Sequence, residues 1–311
     1  LTNQAAAFEG PEKKLEIILR RPARDLRADP DGRWEAVVAA TRSRIISRRS
    51  NNHLDAYLLS ESSLFVWEDR ILMITCGRTA LTRALPEILS FVSSRDVEFV
   101  FYQRKNLMYP NDQPSDFERE VAYLEGFFKG KSYRLGPANH DHVHVFYSSH
   151  NKTRPAEDAT FEVLMHGLSP TAMEYFAAGS VGSAAASLRL SRLGDVYPDM
   201  LTDCYLFAPC GFSVNGIHED RYFTVHVTPQ PNGSYASFET NIMERDYRAV
   251  VHKILSIFRP TRFSLVLTTS VGNHLGARPV FPLAPEGYRA VERSLYEFDC
   301  GYAITFTNHV L

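Results

Sequence analysis

Apolar residues come in short runs broken by polar knots, and the runs predict strands and helices along most of the chain. Strands are predicted at residues 15–19, after the Gly10-Pro11 break, at 57–59, 64–66 and 71–75, and at 97–102 and 141–147. Further strands are expected at 160–165, 205–208, 212–214, 222–227, 235–238, 263–269 and 303–307. Helical spacing of apolar positions marks 34–46, 79–92, 116–128 and 246–258, and a further helix is expected near 286–294. Residues 1–7 read as a loose end, 20–33 as a charged loop, and Gly179-Ser180-Val181-Gly182-Ser183 as a flexible loop without a phosphate-binding lysine. The arginines from Arg42 to Arg49 read as the wet side of the first helix. Between the second and third strands lies Ser60-Glu61-Ser62-Ser63, a polar knot that fits a hairpin tip.

The pattern repeats. Glu68-Asp69-Arg70 reappears as Glu219-Asp220-Arg221, a shift of about 151 residues that also carries Ser62 onto Ser213 and Thr75 onto His226. Each copy contains strands with helices between them. Two such sheets, each covered by helices on one face, bury their other faces against each other. The expected fold is α+β: a four-layer α/β/β/α sandwich of two antiparallel sheets, internally duplicated. It forms a single domain over 1–311, with pseudo-repeats at about 8–150 and 158–311.

Composition narrows the function. With 311 residues, 44% of them hydrophobic, the chain can bury a large core. A formal net charge of −2 gives no reason to expect a nucleic-acid partner. Apolar runs stop well short of the roughly 18 residues of a membrane span. The four cysteines lack C-x-x-C spacing and read as reduced thiols of a cytoplasmic protein; no secretory signal is visible. His140, His142 and His144 alternate as surface residues of an edge strand would, and no metal is expected.

Several segments now combine: Phe8-Glu9-Gly10-x-Glu12-Lys13, Leu59-Ser60-Glu61-Ser62-Ser63, Thr75-Cys76-Gly77, Pro209-Cys210-Gly211-Phe212-Ser213-x-Asn215, His226-x-Thr228-Pro229 and Ser237-Phe238-Glu239-Thr240. In this order, spread from about Phe8 to Phe306, they resemble eukaryotic S-adenosylmethionine decarboxylase. The resemblance implies a self-processing lyase that decarboxylates S-adenosylmethionine to the aminopropyl donor of spermidine and spermine synthesis. It implies cleavage between Glu61 and Ser62, giving a β chain of 1–61 and an α chain of 62–311. Ser62 becomes a covalent pyruvoyl group that holds the substrate's amine as a Schiff base. Ser213 and His226 assist processing, and Cys76 is the proton donor. Glu9 and Glu12 are acids of the β chain that line the site. Phe8 and Phe207 sandwich adenine, rings that also favour a sulfonium. Leu59 and Glu61 bring backbone groups to the adenine edge.

Two departures stand out. Gln230 occupies the position where the family commonly has a ribose-binding glutamate, so ribose is expected to be held by a neutral amide. Glu16, Asp158, Thr160, Glu162, Glu239 and Tyr302 match the putrescine site of the animal enzymes. There Ile74 replaces a lysine, and Lys14 stands where plant enzymes carry a basic residue. A diamine-responsive site is expected in preference to a built-in Lys14 network. The alternative function is a non-catalytic regulatory paralogue of such an enzyme, against which stand the retained Glu61, Ser62, Cys76, Ser213 and His226. Homodimer, monomer and paralogue heterodimer all stay open.

Overall fold

The computed structural model describes residues 8–20, 25–29, 31–150, 158–270 and 285–311. The expected loose end at 1–7 lies outside them. The first half holds β1 (Lys13–Leu19), β2 (Ile45–Ser50), β3 (Asp55–Leu59), β4 (Ser62–Val66), β5 (Arg70–Thr75), β6 (Val97–Lys105), β7 (Lys131–Leu135) and β8 (Val143–Ser149). The second holds β9 (Ala159–His166), β10 (Leu201–Leu206), β11 (Phe212–His218), β12 (Arg221–Thr228), β13 (Tyr235–Thr240), β14 (Arg262–Ser270), β15 (Arg289–Glu297) and β16 (Tyr302–Val310). They form two antiparallel eight-stranded sheets, ordered β2-β3-β4-β5-β1-β6-β8-β7 and β10-β11-β12-β13-β9-β14-β16-β15. Adding eight to each label of the first order gives the second.

This topology corrects the register of the sequence echo. Glu68-Asp69-Arg70 joins β4 to β5, whereas Glu219-Asp220-Arg221 joins β11 to β12. The strand equivalent to β4 is therefore β12, so Ser62 and Ser213 are not duplicates of one position. A tight turn between paired strands recurs at every hairpin, and the triplet matched the wrong one.

Three helices, α1 (Arg33–Ala40), α2 (Ala84–Phe91) and α3 (Phe117–Glu125), cover the first sheet. Trp34, Val37, Leu85, Ile88 and Leu124 pack there on Leu15, Ile17, Leu64 and Met73. The second sheet is covered by α4 (Pro170–Glu174), α5 (Ala178–Val181), α6 (Ala184–Ser191) and α7 (Arg248–Phe258). Val250, Val251, Ile254 and Phe258 of α7 pack on Phe161, Val163, Val214 and Val225. The outer faces of both sheets thus meet helices and the inner faces meet each other, giving the expected α/β/β/α sandwich.

Several element boundaries differ from expectation. The first helix stops at Thr41, because Arg42 adopts a left-handed φ of 69°. Of the arginines beyond it, Arg42 and Arg44 precede β2, and Arg48 and Arg49 lie exposed on that edge strand. The helix at 79–92 divides into a 3₁₀ turn, Leu81–Arg83, followed by α2. The loop expected at 179–183 instead contributes to α5, and Ser183 caps α6 by accepting from the Ala186 N–H. The helix expected near 286–294 is the edge strand β15, whose pairing with β16 contains a bulge between Ala290 and Glu292. From Glu292 on, partly buried Glu292, Ser294 and Tyr296 alternate with exposed Arg293, Leu295 and Glu297, so the pattern has period two. The strand β7 has no counterpart in the predicted set.

Inside the sandwich, two apolar clusters flank a polar strip. Phe65, Trp67, Leu72, Ile74, Ile217 and Tyr222 fill one side. Phe99, Phe101, Leu164, Val266, Ile304 and Phe306 fill the other. The central strands β1 and β9, equivalent in the two sheets, run between them and point Lys14, Glu16, Thr160 and Glu162 inward. No helix among the described residues is long and apolar enough to cross a membrane.

Candidate active site

The polar knot is a two-residue turn: Leu59 pairs with Ser62, and Ser60-Glu61 form the tip. Ser62, almost wholly buried, opens β4 with a φ of 123°, a region L-residues with a Cβ rarely adopt. The Glu61 carbonyl oxygen accepts a hydrogen bond from the Cys76 N–H at 3.0 Å. Ser62 Oγ lies 3.3 Å from Cys76 Sγ. The end of β5 thus clamps the Glu61–Ser62 peptide from the side.

Cys76 is buried, and burial, helped by nearby Glu61, pushes its thiol well above the usual range. Burial also raises Glu61, to about 7, against a partial opposing pull from Arg44. Gly77 has a φ of 65°, and a Cβ there would sit 2.7 Å from Glu61 Oε2 and 3.0 Å from the Phe8 ring. Glycine therefore lets the Glu61 carboxyl and the Phe8 ring close on the same backbone. Phe207 folds back over Gly211 (φ 130°), donating its N–H to the Gly211 carbonyl at 2.8 Å, and its ring meets Tyr205 edge-on.

The other sheet supplies an imidazole. His226 and Ser213 are register partners on β12 and β11, and Ser213 Oγ lies 2.8 Å from His226 Nδ1. His226 Nε2 faces Thr224 Oγ1 at 2.9 Å and Ser63 Oγ at 3.3 Å. Asn215 Oδ1 accepts from Ser63 at 2.7 Å and from Thr224 at 2.8 Å, while Asn215 Nδ2 donates to the Tyr57 carbonyl at 3.2 Å. Burial lowers His226 to about 3, so the ring is neutral. The structure therefore brings Ser213 and His226 together and links them across the sandwich to Ser63, the neighbour of Ser62. In the sequence Ser63 and Asn215 stand in the family motifs without an assigned role, and Thr224 does not stand out. Thr224 and His226 lie two apart on one strand face, a signal that was available.

The segment from Phe8 to Glu12 is tied at Phe8, Glu9 and Glu12. The Phe8 N–H donates to Gln230 Oε1 at 2.9 Å, and the Gly77 N–H to the Glu9 carbonyl at 2.8 Å. The Glu9 carboxylate accepts the N–H groups of Met108 and Tyr109 at 2.8 and 2.7 Å, so both oxygens fasten the loop after β6. Glu12 accepts from Ser237 Oγ at 2.7 Å, and desolvation raises it to about 8. Leu59 turns its side chain into the helix-side core, leaving its backbone at the turn.

A second polar group lies along β1 and β9. Lys14 Nζ contacts Glu162 at 2.5 Å and Glu239 at 3.1 Å. Arg70 pairs with Glu16 and, at 3.1 Å, with Asp158. Gln103 donates to Glu162, Tyr222 to Glu239 and Tyr302 to Asp158 at 2.6, 2.5 and 2.8 Å. Thr160 lines a cavity of about 20 Å³ beside Glu16, Asp158 and Tyr302, room for one water. The six residues expected to gather do so. Lys14 and Arg70 reach all four acids, so the Lys14 network that ranked second to a diamine-responsive site in the sequence is formed here. In the sequence Arg70 stands out only as part of the repeated Glu68-Asp69-Arg70 triplet, because a sequence does not show the sheet opposite it.

A family model described as adenosylmethionine decarboxylase matches residues 5–310. An S-adenosylmethionine decarboxylase proenzyme of Dictyostelium discoideum is 35% identical, covering 97% of this chain and 85% of its own. The proenzyme of Xenopus laevis is 34% identical, covering 97% and 94%. Among solved structures, the crystal structure of a Trypanosoma brucei AdoMetDC monomer aligns with a TM-score of 0.65 at 26% identity, covering 79% of this chain and 98% of the other.

Proposed function

The chain belongs to the adenosylmethionine decarboxylase family, and on that premise we propose which of its residues make and serve the reacting group. It is an S-adenosylmethionine decarboxylase, a carboxy-lyase whose product feeds polyamine synthesis. The family makes its cofactor, a pyruvoyl group, by cutting its own chain. The residues around Ser62 fit that origin: a serine in a strained backbone, a preceding carbonyl already held by an N–H, and a thiol beside its hydroxyl.

In this reading, Ser62 Oγ adds to the Glu61 carbonyl carbon, and the Cys76 N–H steadies the negative charge that develops on the carbonyl oxygen. The C–N bond breaks, the nitrogen takes a proton, and an ester joins Glu61 to Ser62. His226, neutral because buried, takes the α-proton of Ser62 while the Glu61 carboxylate leaves with the C–O electron pair. Water then replaces nitrogen on the remaining dehydroalanine, releasing ammonia. The pyruvoyl group so formed supplies a carbonyl that holds the substrate's amine and accepts the electrons left by carbon dioxide. The Cys76 thiol, kept protonated by burial, returns a proton to the substrate carbon. Phe8 and Phe207 stack on adenine. Gln230, by accepting from the Phe8 N–H, fixes one of those rings and leaves its amide nitrogen for a ribose oxygen. Glu12, protonated near neutrality, accepts from the Ser237 hydroxyl and has a proton to give.

The observation that carries this reading is the backbone of Ser62. A φ of 123° costs on the order of 1–3 kcal/mol for a residue with a Cβ, and cutting the Glu61–Ser62 bond releases it. Intact mass measurement of the purified protein tests it. Two chains of 1–61 and 62–311 are expected, the larger without a free amino terminus, and Ser62→Ala should stay whole. A parent chain that decarboxylates while uncut sinks the reading.

One observation favours a second role for the buried acids. Glu16, Asp158, Glu162 and Glu239 are four carboxylates against the two cations Lys14 and Arg70. A diamine such as putrescine carries the missing charge, but the cavity has no room for it while Lys14 is in place. The expected result is a weak response of cleavage and turnover to putrescine in the parent, and a larger one in Lys14→Ala. Equal responses remove the cluster as the diamine's site.

A further inference from the structure

We propose that Asn215 fixes the tautomer of His226, so that Nε2 carries the ring proton and Nδ1 is the basic nitrogen. The argument is a count of protons. The Asn215 group facing the Tyr57 carbonyl must be its NH₂, since two oxygens there would repel, and Oδ1 therefore points at Ser63 and Thr224. An amide oxygen only accepts. The contacts to it, 2.7 and 2.8 Å, consume the single proton of each hydroxyl. Neither hydroxyl then has a proton to give to His226 Nε2, which lies 2.9 Å from Thr224 and 3.3 Å from Ser63, so Nε2 must donate. Nδ1 is left with its lone pair, and Ser213 spends its own proton on it at 2.8 Å.

The opposite tautomer fails the same count. With Nε2 bare, Thr224 must turn its proton to the ring. Its 2.8 Å contact with Asn215 Oδ1 then becomes two facing lone pairs, and Ser213, forced to accept, keeps a proton that the network does not use. Asn215 thus acts on His226 through two hydroxyls, anchored on the strand that leads into the cleavage turn. It is a positioning residue. The basic nitrogen faces Ser213, which explains why a hydroxyl stands at that register position.

The proposal rests on the reading of His226 as the base of self-cleavage, and the test separates the two. The uncleavable Ser62→Ala chain, labelled with ¹⁵N-histidine, is examined by long-range ¹H–¹⁵N NMR, with Ser62→Ala/His226→Gln identifying the His226 signals. A pyridine-like Nδ1 and a pyrrole-like Nε2 are expected; the reverse overturns the proposal. Asn215→Leu frees both hydroxyls to donate to Nε2. In the labelled chain His226 should move to the other tautomer. In the cleavable chain, cutting should slow by about tenfold or more, toward the 10²–10⁴ that a positioned base supplies. Asn215→Asp should rescue both readouts: buried, its carboxyl stays protonated, donates to Tyr57 and accepts both hydroxyls. If Asn215→Leu switches the tautomer yet cuts at the parental rate while His226→Gln is blocked, the proposal is overturned. If His226→Gln also cuts at the parental rate, the reading of His226 falls, and the assignment of Nδ1 as the reacting base falls with it.

Discussion

Two polar groups lie between the same two sheets and meet the cost of burial in opposite ways. Around His226 all members are neutral, and each short contact has one proton to fill it. Around Lys14 the members are charged, four carboxylates against two cations. A neutral network holds its proton positions over a wide pH range and suits a base that must be ready. An ionic cluster rests on charge balance, so losing one member leaves a buried charge without its partner. The comparison teaches that burial alone does not decide pH sensitivity; the kind of partner does.

Removing Lys14 should break the charged side hardest. Lys14→Met leaves Glu162 and Glu239 unpaired, and urea unfolding should show a loss of about 3–5 kcal/mol. A loss under about 1 kcal/mol means the acids take up protons at little cost, and the contrast between the two groups collapses. On the neutral side, Cys76→Ala should still cut itself but turn over about 100-fold more slowly, at the lower end of what a positioned acid contributes. Unchanged turnover removes Cys76 as the proton donor.

The pH response sharpens the comparison further. Glu12, held near 8 by desolvation beside Glu239 and Glu162, keeps a proton in the folded chain that the unfolded chain releases above about 4.5. Stability therefore declines as pH rises from about 4.5 to 8. Glu12→Gln abolishes that slope, so its advantage over the parent should grow across this window to at least about 1 kcal/mol, read as unfolding midpoints at pH 5 and pH 8. His226 behaves oppositely. Lowered to about 3, it stabilises the fold fully above its ordinary value of 6.5, and that contribution is lost progressively as pH falls from about 6.5 to about 3. Self-cleavage should therefore show no His226 titration between pH 8 and pH 5. The smallest effect is expected for Ser63→Ala. Thr224 alone still accepts from Nε2, so cleavage should slow by less than about tenfold, within the value of one neutral hydrogen bond. A block as complete as that in His226→Gln assigns Ser63 a larger part.

Much of this was legible before the fold. Strands appeared where expected from 57 to 75 and from 222 to 238, because strands buried on both faces read as short, mostly continuous apolar runs. The motifs around Ser62, Cys76 and His226 also stood out there. Edge strands were the weak point. In β2 and β15 the arginines and glutamates that keep an edge soluble hide the alternation, and both were read as helix.

The sequence by itself determined the fold class, the family and the residue types gathered at each site, because these follow from local pattern and from motifs a few residues long. Only the tertiary structure decided the pairings. Ser63, not Ser62, meets His226; Arg70, known from the sequence only as a member of the repeated triplet, neutralises Glu16 and Asp158; and the duplicate of β4 is β12. A strand's pattern tells which face each side chain takes, but it carries no information about which residue of the other sheet lies opposite. Partners such as Ser63 and His226, 163 positions apart, are set by how two whole sheets come to rest on each other.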